Sequence, residues 1–309
     1  MKAIQLHQYG GADVLVMEEI SKPVPQENEI LIRVKAAALN PIDSKIRSGS
    51  MQQIIPLPLP FTPGWESAGI VETVGTGVTQ FKSGDEVIAR VPFAKAGAYA
   101  EYMLAGESEI VRKPASLSFA EASSLPIVGS AAYTLLFKAG HLQAGQTVFI
   151  LGAGGSVGLL TVQLAKQAGA VVIGTATGED RNAVLKAGAD EVLEYANPDY
   201  AKQVHDVDLA LDLVGGPAQE ALWPLLKKGG LLLSTTMPPP ADRAATWGVT
   251  ASFIFTQPDQ PVMEKVAELA GKRSLQIHIG KTLPLADVAQ AHFLMDQALV
   301  RGKIVLEMN

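Results

Sequence analysis

The 309-residue sequence contains no cysteine. That excludes disulfides, a thiolate nucleophile and any cysteine-ligated metal site, and it suits a cytoplasmic protein. A basic tract is also missing. Net charge is −6, and the densest cationic runs are the pairs Lys227-Lys228 and Lys272-Arg273, so no nucleic-acid partner is expected. Long apolar runs are absent too. The longest stretch without Asp, Glu, Lys or Arg, residues 139–165, is broken by His141, glycines and polar residues, so no membrane span is expected. The start, MKAIQLHQYG, enters a short strand pattern directly and has no signal-peptide core. The five histidines (7, 141, 205, 278 and 292) share no ligand spacing and read as structural. No Tyr-x-x-x-Lys pair occurs, and no serine stands in a nucleophile elbow.

What is present is an apolar fraction of 48% against 18% charged, enough for a large core. The length points to two domains of roughly 150 residues. Up to about residue 120 the chain reads as short strands between turns. EILIRVKAAAL places Ile30, Ile32, Val34 and Ala36 on one face, and ESAGIVETVG, GDEVIARV and GAYAEYML follow as further strands. Such strands predict a partly open barrel or sandwich. Beyond Phe119, FAEASSLPIVGSAAYTLLFKAG reads as helices interrupted at Pro126. From Thr147 strand and helix alternate. Strands are expected over 147–151, 171–175, 191–195, 207–213, 231–235 and 250–255. Helix starts are expected at Asn197-Pro198 and Gly216-Pro217, and helix stops at Gly188 and Gly229. The alternation predicts a doubly wound parallel sheet. MPPPADRAATWG (237–248) reads as a loop. Helices over roughly 262–271 and 285–300 and a closing strand, KIVLEM, form a tail expected to rejoin the first domain.

The segment VFILGAGGSVGLLTVQLAKQAGAVVIGTATGED (148–180) carries the chemistry. Gly152, Gly154, Gly155 and Gly158 lie between an apolar strand and an apolar helix. Val157 breaks the strict G-x-G-x-x-G spacing, and Gly152-x-x-Gly155-x-x-Gly158 is the spacing that fits. Glycines there allow positive φ and close approach of a pyrophosphate, whose charge meets helix N–H groups and the positive helix end. A tight turn without ligand is the alternative, disfavoured inside a βαβ unit. The helix is expected to bury Val157, Leu160, Thr161, Leu164 and Ala168. The second strand ends in Thr175, Ala176 and Thr177, where NAD enzymes usually place a carboxylate. A carboxylate ~4 Å from a 2′-phosphate costs about 4 kcal/mol per charge pair at an effective dielectric of 20. Its absence favours NADP, with Thr175, Thr177 and Arg181 as phosphate partners. Glu179 and Asp180 bring opposing negative charge, or serve a helix start.

NPIDSKIRSG (40–49), PGWESAG (63–69), GDEV (84–87), GAYAEY (97–102), the glycine turn, KAGAD (186–190) and RGKIVL (301–306) together resemble the medium-chain dehydrogenase/reductase superfamily. Within it the chain is similar to the zinc-independent, ζ-crystallin-like quinone oxidoreductases over nearly its whole length. The resemblance implies an α/β protein with a GroES-like barrel domain, expected at 1–122 and 262–309, and a Rossmann domain at 123–261. NADP(H) is expected in the cleft between them. Zinc-bearing relatives have Cys and His ligands near two of these motifs. Here the first motif has no cysteine, and Trp65 stands before Glu66 in place of the histidine. No metal is therefore expected. By the same resemblance Asn40 and Asp43 line the nicotinamide end. Gly152, Gly155, Ser156, Val157 and Gly158 meet the pyrophosphate. Tyr195 faces the 2′-phosphate region, Lys303 sits near the cofactor, and Thr235 and Phe255 complete the cofactor contacts. Many quinone reductases have Tyr where this chain has Lys45; the lysine resembles alkenal/enone reductases, whose motif reads Asn-Pro-Val-Asp-Phe-Lys.

Each residue also has a plain structural reading. Asn40 opens an Asn-Pro turn, Asp43 caps a helix, Lys45 and Arg181 are solvated, Tyr195 covers a sheet edge, and Trp65 fills core instead of walling the substrate pocket. The functional expectation is hydride transfer from NADPH to a quinone, or to the β-carbon of an enal or enone, with Lys45 stabilising the oxyanion. The alternative is a non-catalytic NADPH-binding sensor or structural protein. The apolar strand TASFIF (250–255) is expected at a sheet edge and pairs, on this reading, in a homodimer.

Overall fold

The structure is a computed structural model that describes residues 1–197, 199 and 202–308. The helix start expected at Asn197-Pro198 falls on Pro198, outside the described residues. The chain divides into two compact units, Met1–Ile127 with Gln257–Asn309, and Val128–Thr256.

The first unit is a curved sheet forming a partly open barrel. Strand Glu29–Ala38 is its hub. It pairs antiparallel with Glu66–Val74, Tyr102–Gly106 and Lys303–Glu307. Glu86–Arg90 and Ile110–Arg112 continue one side, and Ile279–Pro284 lies parallel to Lys303–Glu307 on the other. Register shifts at Leu31/Ile32 and Val34/Ala36 bend the hub strand. Ile30, Ile32 and Val34 are buried in one cluster with Trp65, Val87, Tyr99, Met103 and Leu306, as their alternation predicts, but Ala36 is not on that face: the register shift after Val34 turns it into a separate cluster with Ala38 and Val305. The register also sets up a polar site. Ser67 faces Ala37 and Val305 faces Ala38. The starts of strands Glu66–Val74 and Lys303–Glu307 therefore converge where the hub strand ends and helix Pro41–Arg47 begins.

The second unit holds six parallel strands in the order Glu191–Glu194, Val171–Ala176, Thr147–Leu151, Val207–Asp212, Leu226–Ser234, Thr250–Phe253. The order reverses between Thr147–Leu151 and Val207–Asp212, and ligands of such sheets bind outside the carboxyl ends at that switch point. Helix Ser156–Gln167 follows the first strand and buries Gly158, Leu160, Thr161, Val162, Leu164 and Ala165. Among the described residues no helix is long and apolar enough to cross a membrane.

Several local expectations are corrected. Residues 237–248 are not all loop: Ala241–Trp247 is a helix, entered from Pro240 and ended by Gly248 in the left-handed region (φ 63°). Gly229 is not a helix stop. The 3₁₀ segment Gly216–Leu225 ends earlier, and Gly229 lies inside strand Leu226–Ser234. In GAYAEYML only Tyr102–Gly106 is strand, while Ala98 and Tyr99 are buried irregular backbone. The second tail helix is confined to Val288–Asp296 after a 3₁₀ turn at Leu285–Asp287.

A methyl group at Gly158 would lie 2.4 Å from the Gly152 carbonyl oxygen and 2.6 Å from Ala153 Cα, so this helix approaches its strand only because the side chain is absent. Gly158→Ala should lower stability by about 1–3 kcal/mol, the usual toll of overpacking. Denaturant unfolding reads this, and an unchanged midpoint would show that the helix steps back freely.

Candidate active-site cluster and glycine turn

In the first unit, Asn40 is the N-cap of helix Pro41–Arg47, extended at φ −134°, with proline at the first helical position. Its own side chain does not cap the helix. Instead Asn40 Nδ2 donates to Glu66 Oε1 (2.7 Å) and Asn40 Oδ1 accepts from Lys303 Nζ (2.7 Å). Lys303 Nζ also donates to the Leu39 carbonyl (2.7 Å) and to Glu66 Oε1 (2.9 Å). Glu66 Oε2 accepts from the Ile127 amide at 2.7 Å. Asp43, one turn on, accepts from the Asn40 amide (2.9 Å) and the Tyr99 hydroxyl (2.6 Å) through Oδ2, while Oδ1 has no partner. Asn40, Asp43, Glu66, Tyr99 and Lys303 are all buried.

Burial pushes the Asp43 carboxyl up to about 7, against the opposing pull of Tyr99, the Asn40 amide and Lys303, with Glu66 adding to the rise. Burial, with Asp43 beside it, also holds the Tyr99 phenol well above its ordinary value, so it remains a donor. On the far side of Tyr99, ring to ring at 5.9 Å, His292 Nδ1 faces Arg47 Nη1 at 3.0 Å. Burial, reinforced by Arg47, drives that imidazole down to about 3. His292 is thus neutral and structural, and its Nδ1 is an acceptor.

In the second unit the glycines of the turn divide by physical role. Gly152 has φ 89°, and a side chain there would strike Val214 Cγ2 at 2.7 Å. Gly158 is required by the helix approach. At Gly154 a Cβ would lie 2.8 Å from that of Asp180. Gly155 differs: its φ is −73°, it is exposed, and a Cβ would meet nothing nearer than the Gly152 carbonyl oxygen at 3.6 Å. Packing therefore does not demand a glycine at 155. Its bareness leaves the N-terminus of helix Ser156–Gln167 without a side-chain cap, which suits an anion bound on the first-turn amides. Ser156 and Val157, half-buried, stand in that first turn.

The remaining expected residues fall into distinct settings. Thr175 is fully buried, and its hydroxyl accepts from the Gly152 amide at 3.0 Å; it holds the turn. Thr177 is exposed and donates to Asp180 Oδ2 at 3.0 Å. Arg181 is exposed and donates to the Val192 carbonyl. Tyr195 packs half-buried against the core around Trp223, its amide on the Ala176 carbonyl. Thr235 follows strand Leu226–Ser234, bonded through its amide to Asp212. Phe255 is exposed and stacks on Phe253 at 6.4 Å. Trp65, 1% exposed, donates to the Phe93 carbonyl and fills the barrel core; it does not wall an open pocket. Lys45 is exposed on helix Pro41–Arg47. Lys303, expected beside the cofactor, is buried with its ammonium bonded to three protein oxygens. The sequence reading assigned no role to Tyr99 or Glu66, although both stand in the motifs GAYAEY and PGWESAG; the signal was a polar residue inside an otherwise apolar strand pattern.

Comparison with known proteins accords with this architecture. Residues 26–115 match the alcohol dehydrogenase GroES-like domain family, and residues 187–306 match the zinc-binding dehydrogenase family. The quinone oxidoreductase of Pongo abelii is 31% identical over 324 residues, covering 99% of this chain and 97% of that protein. The solved quinone oxidoreductase from Coxiella burnetii superposes with a TM-score of 0.92 at 32% identity, covering 100% of this chain and 99% of that one. The Escherichia coli quinone oxidoreductase, solved in complex with NADPH, gives 0.90 at 28% identity, covering all of both chains. The chain belongs to the medium-chain dehydrogenase/reductase superfamily, in its zinc-independent quinone oxidoreductase branch. Zinc does not fit the residues present: cysteine is absent, Glu66 is bound to Asn40 and Lys303, and among the described residues no three His, Asp or Glu gather as a ligand set.

Asp43 and His292 act oppositely on stability. Between 3.8 and about 7 the unfolded chain releases the Asp43 proton and the folded chain keeps it, so this contribution falls as pH rises and is gone above about 7. Between about 3 and 6.5 the unfolded chain binds a proton that His292 refuses, so that contribution rises with pH. Asp43→Asn removes only the first. Its unfolding free energy minus that of the wild type should grow by roughly 3 kcal/mol between pH 4 and 7; a difference independent of pH would contradict the burial argument.

Proposed function

We propose that the protein transfers hydride from NADPH to a conjugated carbonyl, with quinones as the principal acceptors. The observation that carries this reading is the bare, uncapped helix start at Gly155, a position that packing leaves free for a side chain. Gly152, Gly155 and Gly158 then let the pyrophosphate approach, and the amides of Ser156, Val157 and Gly158 receive it. When bound, the reduced nicotinamide supplies the hydride. Arg181, Thr177 and Tyr195 are the residues proposed for the 2′-phosphate end, and Thr235 and Phe255 for further cofactor contact. Thr175 supports them from beneath by holding Gly152.

Asn40 and Asp43 serve the reacting end. A conjugated acceptor takes hydride without a metal, because its negative charge spreads into the ring or enolate. The protein's part is to orient the acceptor and stabilise the growing oxyanion. A quinone yields a hydroquinone after one proton is taken up. The exposed Lys45 ammonium is proposed to polarise the carbonyl of enals and enones, and solvent or Lys45 delivers the proton. Lys45 in NPIDSK is the observation that favours C=C reduction as a second activity. Thr250–Phe253 is the edge strand of its sheet, with Phe253 and Phe255 exposed beside it; pairing of two copies along this edge is the proposed homodimer.

The deciding assay is NADPH and NADH oxidation with 1,4-benzoquinone, trans-2-hexenal and a cyclic enone. Oxidation should be fastest with NADPH and the quinone; a sample that binds NADPH yet oxidises it no faster than the protein-free control would make it a binding protein. Arg181→Ala should raise KM for NADPH and leave NADH unchanged, whereas equal effects on both would remove Arg181 from the phosphate site. Lys45→Ala should lower kcat for enones with NADPH binding intact, and an unaltered kcat would return Lys45 to the solvated surface.

A further inference from the structure

The Asn40 amide has one permitted orientation. An ammonium only donates and a carboxylate only accepts. The amide atom facing Lys303 Nζ at 2.7 Å is therefore oxygen, and the atom facing Glu66 Oε1 at 2.7 Å is nitrogen. Amide orientation is ordinarily inferred from the surrounding network as a whole; here two charged neighbours of opposite sign dictate it. One Nδ2 hydrogen is committed to Glu66 and the other remains, so Asn40 offers a donor. Lys303 itself has no hydrogen to give a cofactor. All three point to Leu39 O, Asn40 Oδ1 and Glu66 Oε1, within 2.9 Å. Drawing it away would leave Glu66, fully buried, without the ammonium bonded to it.

We infer that the Lys303–Glu66 ion pair is a positioning device that locks the Asn40 amide with its remaining Nδ2 hydrogen as donor to the carbonyl oxygen of the acceptor. This rests on the proposed hydride transfer. In that reaction the hydride forms a C–H bond to the acceptor, the displaced π pair moves toward oxygen, and NADPH becomes NADP⁺. A proton from water on that oxygen gives the enol; for a quinone, a proton then leaves the ring carbon that took the hydride while the second oxygen gains one, which completes the hydroquinone. A donor fixed on that oxygen stabilises the charge as it grows. An amide free to turn would present its own oxygen half the time and repel the charge. Lys303 and Glu66 thus act through Asn40 without touching the substrate.

Four variants test this: Lys303→Met, Glu66→Gln/Lys303→Met, Asn40→Ala and Asn40→Ala/Lys303→Met. The Gln/Met exchange removes both charges while keeping the side-chain volume, so it avoids the orphaned carboxylate of Lys303→Met. Its glutamine donates as well as accepts, so the amide lock is still lost. NADPH affinity is read by calorimetry, and kcat and KM with 1,4-benzoquinone. The inference predicts NADPH affinity within about twofold of wild type in the Gln/Met protein, with kcat lowered by on the order of 10²-fold. It predicts the same loss in Asn40→Ala, and no further loss when Lys303→Met is added. Weakened NADPH binding at unchanged kcat would make Lys303 a cofactor ligand and overturn the inference, as would losses that multiply in the double variant. A wild-type protein that neither binds nor oxidises NADPH overturns the underlying reading itself, which is a distinct result.

Discussion

A single buried ion pair organises the first unit. Lys303 and Glu66 lie 237 residues apart in sequence and meet at 2.9 Å, with neither exposed by more than a few per cent. Breaking such a pair by removing one partner typically costs about 3–5 kcal/mol, because a charge is left buried alone. Its geometry comes from the strand register: the hub strand ends at Ala38, and two antiparallel neighbours begin beside that end. Each charge is also hydrogen-bonded to the chain, Lys303 to the Leu39 carbonyl and Glu66 to the Ile127 amide. The pair thus fastens the returning tail to the barrel and sets the polarity of Asn40 at once.

The same residues show why zinc does not fit this barrel. Where relatives are expected to carry a histidine ligand the chain has Trp65, which packs inward against Phe93 at 5.6 Å. Glu66, next in sequence, points to a lysine ammonium held among oxygens. A fixed positive charge and an oriented amide stand in this barrel in place of a metal-ligand set. On the proposed reading the oriented amide serves acceptors that already delocalise negative charge, which links the fold to the proposed substrate class.

Much of this was legible in the sequence. The shared face of Ile30, Ile32 and Val34, the strand-turn-helix around Gly152, and the doubly wound alternation all follow from local pattern, and the sheets bear them out. What stayed hidden was non-local. Thr175 reads as an available hydroxyl until the Gly152 amide is found against it. The three oxygens around Lys303 come from Leu39, Asn40 and Glu66, 237 to 264 residues away in sequence. Tyr99 has no local signature of its bond to Asp43, 56 residues away. The helix at Ala241–Trp247 was obscured by three prolines, which end at its N-cap. The glycines were recognised as a group, but only the geometry separates those the fold requires from the one it does not.

That separation gives the most direct test. Gly155 is an N-cap in extended conformation with room for a side chain, and aspartate is a better N-cap than glycine. In Gly155→Asp the carboxylate would occupy the place proposed for the pyrophosphate. Thermal unfolding and calorimetric titration with NADPH should be measured on the same sample. The account predicts an unchanged or raised melting temperature together with loss of detectable NADPH binding; undiminished binding in a well-folded Gly155→Asp protein would contradict it.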